Sequence, residues 1–305
     1  MSDHRENTHM IWKSILAVTL AAAIPGAALA QRAQTTTPVQ LPRTILFIGN
    51  SFTQGAHSPL RNWHADRVTD LNGAGYGGVP ALVKEFTVEA GLNYAVSLET
   101  QGGQSLAFHY EQRRQLFDRP WDVVVLQEYS TLDRDRPGDA TRYIRSVGQL
   151  SSLFRVRNHA VKVALMATWS RADQIYQPGS PWSGRPVATM AEDLRNAADR
   201  ARRTNRAVSG IIPVGQAWNR AFAAGFADPN PYDGIAYGQM NLWSFDHYHA
   251  STAGYYLEAL TVFGDVTGVD PRSLGRNERA ADELGLSPDH AAALQAIAHE
   301  QLVAR

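Results

Sequence analysis

The chain has 305 residues, 29 basic and 29 acidic side chains, and no cysteine. That length buries a full hydrophobic core and suits one large domain. The balanced charge removes any electrostatic reason to expect nucleic acid or an anionic membrane as partner. The missing cysteines exclude disulfides, thiolate catalysis and Cys-ligated zinc.

In chain order, the first predicted element is an export signal. A polar start leads to Lys13, then to an apolar stretch over 15–24, a Pro25-Gly26 break, and the small residues Ala28-Leu29-Ala30. This pattern predicts a cleavable signal peptide over 1–30, with cleavage after Ala30 and a secreted or periplasmic product; a retained N-terminal anchor is the alternative. The uncharged run over 14–30 is short for a membrane span. Residues 31–42 read as a flexible leader, and 43–305 as a single domain.

Compact apolar runs at 44–48, 94–98, 122–126, 161–166 and 210–214 suit strands buried on both faces of a parallel sheet. Helical stretches at 79–90, 104–117, 139–158, 188–205 and 216–224 alternate with them, and helices over 252–266 and 288–303 close the domain. Strand alternating with helix predicts an α/β fold: a three-layer α/β/α domain around a doubly wound, five-stranded parallel sheet. Ligands of such sheets bind beyond the carboxyl ends of the strands. The residues there are Gly49-Asn50-Ser51, Gly102-Gly103, Gln127-Glu128 and Thr168-Trp169.

Ser51 directly follows the first strand, where a hydroxyl can be exposed and a backbone N–H offered to an oxyanion; serine also caps helices. Asp246 and His249 stand three apart, so one turn places a carboxylate and an imidazole on the same side. A serine nucleophile needs that imidazole as base and that carboxylate to hold its tautomer. Asp246 capping a helix and a structural His249 fit the same spacing. His247 and His249 lie close enough to suggest a metal, but no third matching ligand is evident in the sequence. Gly103 brings a bare N–H to the rim and Gln127 an amide N–H; with the Ser51 N–H they make a three-donor oxyanion hole. A tight turn at Gly102-Gly103 and a strand-end amide at Gln127 are the structural alternatives.

Four blocks in this order resemble the SGNH (GDSL-like) hydrolase superfamily. ILFIGNSFT (45–53) is similar to the first block, QGGQS (101–105) to the second, and DHYHASTAG (246–254) to the last, with Asp and His three apart and a Gly in the following helix. VVVLQE (123–128) stands where the third block falls. There the family usually has Asn in a Gly-x-Asn-Asp context, and Gln127 takes its place, as in a sub-group with a Gly-Asn-Ser-Phe-Thr start and a Leu-Gln-Glu third block. The resemblance covers essentially the whole domain. It implies a flavodoxin-like SGNH fold, Ser51 as nucleophile, His249 as base, Asp246 as its orienter, and Ser51, Gly103 and Gln127 as oxyanion donors. It implies no cofactor and no metal.

No Gly-x-Ser-x-Gly elbow occurs, which disfavours an α/β-hydrolase. The segments 170–187 and 226–245 interrupt the pattern at the same rim and are rich in aromatic residues. Those rings either stack on a sugar or acyl group or anchor the loops. Trp169, Trp182 and Trp243 are the candidates for substrate contact. No amphipathic lid suggests a lipase. The reading is an exported serine esterase acting on a short, acetyl-like ester, with an acylated glycan as substrate. An O-acyltransferase with the same triad and a non-catalytic glycan-binding protein are the alternatives. The sequence leaves oligomeric state open.

Overall fold

The computed structural model describes residues 41–304, so the expected signal peptide and nearly all of the expected leader lie outside the described residues. In chain order the elements are β1 (Arg43–Gly49), β2 (Thr69–Asp70), α1 (Gly78–Glu89), β3 (Tyr94–Thr100), α2 (Leu106–Phe108), β4 (Val123–Gln127), α3 (Thr141–Arg157), β5 (Lys162–Ala167), α4 (Ala172–Tyr176), α5 (Ala188–Thr204), β6 (Val208–Pro213), α6 (Val214–Ala223), α7 (Thr252–Thr267), α8 (Arg279–Glu283) and α9 (Pro288–Val303). No described helix is long and apolar enough to cross a membrane.

The sheet is wholly parallel, with strand order β2-β3-β1-β4-β5-β6. It has six strands where the sequence predicts five. The extra one, β2, is two residues long and pairs Thr69 and Asp70 with Ser97 and Leu98; so short and polar a piece leaves no apolar run to read. The other five follow the doubly wound order 2-1-3-4-5, whose reversal of direction falls at β1. Ser51 lies just beyond that point.

Strand alternation explains the three layers. Ile45 and Phe47 of β1 join one core and Leu46 and Ile48 the other; Val123 and Val125 of β4 divide from Val124 and Leu126 in the same way. Helices α1, α6, α7 and α9 cover the first face and α3 and α5 the second. Helix α5 does so with an amphipathic stripe of Met190, Leu194, Ala197, Ala198 and Ala201.

One expected helix is broken. Over 104–117 the chain forms only α2, then a π-helical turn at His109–Arg113 and a 3-10 turn at Arg114–Leu116. The widened turn carries His109 inward, where its Nδ1 meets the Glu99 carboxylate of β3, both side chains fully buried.

Helix α7 is buried along nearly its whole length and is capped by Ser251 Oγ. Gly254 sits in its first turn, where a Cβ would lie 2.3 Å from the Leu242 carbonyl oxygen and 2.6 Å from Trp218 Cζ2. Gly254→Ala therefore overpacks a junction that cannot yield cheaply. The expected loss is about 1–3 kcal/mol of stability, measured by urea unfolding. An unchanged midpoint would show that α7 is not seated as described.

Candidate active site

No helix follows Ser51. A run of turns over 51–57 replaces it, so Ser51 is not a helix cap. The run closes on itself through Gln54 N–H to Asn50 O (3.0 Å) and Ala56 N–H to Ser51 O (3.0 Å). Strand β4 anchors it from the side. The Oε1 of Gln127 accepts from the Asn50 N–H (2.9 Å) and from Thr53 Oγ1 (3.1 Å). Asn50 Nδ2 in turn donates to the Gln104 and Glu128 carbonyls at 3.0 and 3.4 Å. Phe52, fully buried, stacks on Trp169 with ring centroids 4.2 Å apart.

Across this turn stands the loop before α7. Asp246 Oδ1 accepts from the N–H groups of Tyr248 (3.1 Å) and His249 (2.9 Å), and Asp246 Oδ2 lies 2.6 Å from His249 Nδ1. The other ring nitrogen, Nε2, lies 2.8 Å from Ser51 Oγ. Residues 51, 249 and 246 thus form one hydrogen-bonded chain. Burial pushes the His249 pKa down and outweighs the opposing pull of Asp246, so the ring is neutral at neutral pH. Burial alone would raise Asp246, but the His249 ring and the two backbone donors lower it, and it stays ionised.

His247 is not part of that chain. It has a left-handed backbone (φ +54°), its ring packs on Tyr232 at 4.4 Å, and its carbonyl accepts from Ala172 N–H.

Gly103 lies at the rim with φ +69°, a conformation glycine adopts without strain. Its carbonyl accepts from the Arg134 guanidinium. Neither its N–H nor that of Ser51 is given to an acceptor among the described residues. Beside it a cleft of about 180 Å³ is lined by Ser105, Tyr129, Arg134 and Arg142.

Gln127 has a structural task that spacing alone does not show. Its side chain is buried, its Oε1 holds the nucleophile turn, and its Nε2 donates to the Glu128 carbonyl. Turning the amide over would set its NH₂ against the Asn50 N–H, donor to donor, so the orientation is fixed. Of the two Nε2 N–H groups one is taken by the Glu128 carbonyl, so the amide is tied at both ends into the turn and its own strand end.

The three tryptophans depart from expectation. Trp169, Trp182 and Trp243 are 0%, 2% and 1% exposed and do not line an open site. Trp169 Nε1 donates to the Tyr248 carbonyl and Trp243 Nε1 to the Ser170 carbonyl, so both brace the histidine loop. Trp182 donates to Asp193, away from the site. The rings open to solvent beside the triad are others. Phe245 is 76% exposed, and Tyr232, against His247, is 40% exposed.

The sequence reading passed over His57. Six residues beyond Ser51, it has φ +60°, its ring centroid is 4.5 Å from that of His249, and its Nε2 is 3.8 Å from Asp246 Oδ2. Its signal was its place in the turn after Ser51, which spacing alone does not join to Asp246.

No protein-family model and no curated protein matches this chain. Solved structures do resemble it. A DUF4886 family protein from Bacteroides uniformis is 20% identical over 86% of this chain and 95% of its own, with a TM-score of 0.58. A protein described as a GDSL-like lipase from Parabacteroides merdae is 18% identical over 75% and 98%, with a TM-score of 0.50. One described as an SGNH hydrolase from Slackia heliotrinireducens is 23% identical over 74% and 99%, with a TM-score of 0.47. The parallel sheet flanked by helices is the fold that this chain shares with the first two.

Proposed function

We propose that this protein is a serine ester hydrolase of the SGNH type that removes a short acyl group, acetyl above all, from a carbohydrate. The observation that carries the reading is the unbroken relay from Ser51 Oγ through both nitrogens of His249 to Asp246.

In this reading Ser51 Oγ attacks the ester carbonyl while neutral His249 takes its proton at Nε2. Ionised Asp246 keeps the other proton on Nδ1 and stabilises the imidazolium. The N–H groups of Ser51 and Gly103 bind the oxyanion. His249 then protonates the leaving alcohol, and water repeats the sequence to release the acid. The open faces of Phe245 and Tyr232 beside the triad suit a sugar ring better than a lipid tail, because they are separate platforms rather than a continuous apolar groove. Such a substrate accords with export of the chain and signal-peptide cleavage after Ala30.

The direct test is labelling by a fluorophosphonate, followed by hydrolysis of a chromogenic acetyl ester with and without a sugar acceptor. Labelled protein that hydrolyses the ester supports the reading, and acyl transfer to the sugar in preference to water would make it an acyltransferase. Ser51→Ala and His249→Ala should each lower kcat by roughly 10³–10⁶-fold with little change in melting temperature. His247→Ala should stay far closer to wild type. Inactivation by His247→Ala alone would reassign the base.

The pH profile follows from the direction of the His249 shift. Only the neutral ring accepts the Ser51 proton, and burial lowers its pKa below the ordinary value of 6.5. Activity (kcat/KM) should therefore rise with pH along an acidic limb whose midpoint lies below 6.5, and stay level above it. A midpoint above that value would mean that Asp246, not burial, governs the ring.

Gln127 separates two roles. As a latch, its loss to Ala strands the buried Asn50 N–H, costing about 1–3 kcal/mol and loosening the turn that presents Ser51, so melting temperature and kcat fall together. Asn, one methylene shorter, should restore neither fully. A fall of roughly 10²–10³-fold in kcat at unchanged melting temperature would instead make Gln127 an oxyanion donor.

A further inference from the structure

His57 takes no part in the proposed proton relay, yet it is held in a costly position beside it. Its left-handed backbone (φ +60°) is uncommon for a residue with a side chain. Ser244 Oγ pins it by donating to the His57 carbonyl (2.9 Å), and Phe245 packs edge-on against its ring at 5.1 Å. The result is a nitrogen aimed at the carboxylate that orients His249.

We propose that His57, Asp246 and His249 form a binding site for a transition-metal dication, Zn²⁺ above all, and that metal bound there switches the enzyme off. The inhibitory half rests on the serine-hydrolase reading; the binding half stands on geometry alone.

One ligand atom from each of the three residues lies within 4.8 Å of the other two, the one such group among the described residues. Zinc with ligands at about 2.0–2.2 Å sets neighbouring ligand atoms about 3.3 Å apart in a tetrahedron. The 3.8 Å between His57 Nε2 and Asp246 Oδ2 is close to that spacing. The shorter His249–Asp246 contact opens once the metal replaces the proton between them. Two imidazoles and one carboxylate are a donor set zinc favours, and hard Mg²⁺ and Ca²⁺ do not. The His57 ring is about two-fifths exposed, which leaves a path for the ion and a fourth position for water. Arg171, whose charge reaches His249, is itself paired with Asp173.

Inhibition follows from proton bookkeeping on one ring. Neutral His249 carries a single proton, on Nδ1. If zinc takes Nδ1, that proton moves to Nε2, and Ser51 Oγ then faces an N–H that cannot accept its proton. If zinc takes Nε2, the base is blocked directly. In both cases Asp246 loses its role as orienter to the metal.

The test uses the whole protein at about pH 8, where imidazoles are neutral. Zn²⁺ is titrated calorimetrically into Ser51→Ala, and into Ser51→Ala carrying His57→Gln. In parallel, the rate of fluorophosphonate labelling and of acetyl-ester hydrolysis is measured with Zn²⁺, Mg²⁺ or EDTA for the wild type and His57→Gln. The expected result is one zinc site, weakened roughly 10–100-fold by His57→Gln. Zinc should slow labelling and hydrolysis in the wild type, EDTA should reverse it, and Mg²⁺ should have no effect. His57→Gln should keep its activity without zinc and resist inhibition by the same factor as its loss of affinity. Equal zinc affinity with and without His57 overturns the site. Zinc bound at saturation in a fully active wild type overturns the switch. If no ester is hydrolysed and Ser51 does not label, the hydrolase reading fails and the calorimetry still decides whether the site exists.

Discussion

The rim that bears Ser51 is organised around one buried carbonyl oxygen, the Oε1 of Gln127. It accepts two hydrogen bonds from the turn that bears Ser51, at Asn50 N–H and Thr53 Oγ1. The pairing leaves no room for a side chain at position 49. A Cβ there would lie 2.6 Å from Gln127 Oε1 and 2.3 Å from Thr53 Oγ1. Glycine at position 49 thus lets strand β4 reach the turn that bears Ser51. From Asn50 the network extends outward, its side chain donating to the Gln104 carbonyl just past Gly103. Three loop segments far apart in sequence are joined by neutral amides, which satisfy one another's polar groups without the desolvation cost of buried charges.

The histidine loop has a different support. Its bases of attachment are indoles: Trp169 and Trp243 are buried as rings and donate their N–H groups to backbone at Tyr248 and Ser170. Trp169 lies in a stack between Phe52 and Trp218, with centroid spacings of 4.2 and 4.7 Å. The ring next to Ser51 and the rings under the histidine loop therefore share one packed column. His249 and Ser51, 198 residues apart, are held to hydrogen-bond distance by apolar packing. Sequence alone leaves substrate contact and loop anchoring both open for these tryptophans, because aromatic residues in irregular segments serve both purposes and only burial tells them apart.

The same distinction governs what else was legible. Strands buried on both faces are continuous apolar runs, so β1, β3, β4, β5 and β6 stood out, whereas β2 has two polar residues and no pattern to read. Helices α3 and α5 followed their apolar periodicity closely, and α9 spans the stretch expected for it. The break after α2 did not, because the buried Glu99–His109 pair that accompanies it joins two elements and leaves no trace in either one's period. Ser51, Asp246 and His249 were readable from type, order and spacing. The direction of the Gln127 amide and the approach of His57 were not, since both depend on which partner the fold brings within 4 Å.

Burial also sets the charge balance of the rim. Glu128 directly follows Gln127, and burial pushes its pKa up to about 8 despite the hydrogen bonds its Oε1 accepts from Leu106 and Tyr129. The opposite change occurs at Asp246, where three donors converge on a half-buried carboxylate and keep it charged. Two carboxyl groups at one rim thus hold different protonation states at neutral pH. This suits the proposed chemistry, since the reaction needs one fixed anion behind His249 to stabilise an imidazolium. A second charged carboxylate at the rim would repel the proposed oxyanion. A neutral Glu128 accepts from two backbone donors as a carboxylate does, and it adds no field against the transition state. What separates the two acids is the number of donors each receives for its depth of burial, and the fold assigns that number through the turns around residues 106, 129 and 248.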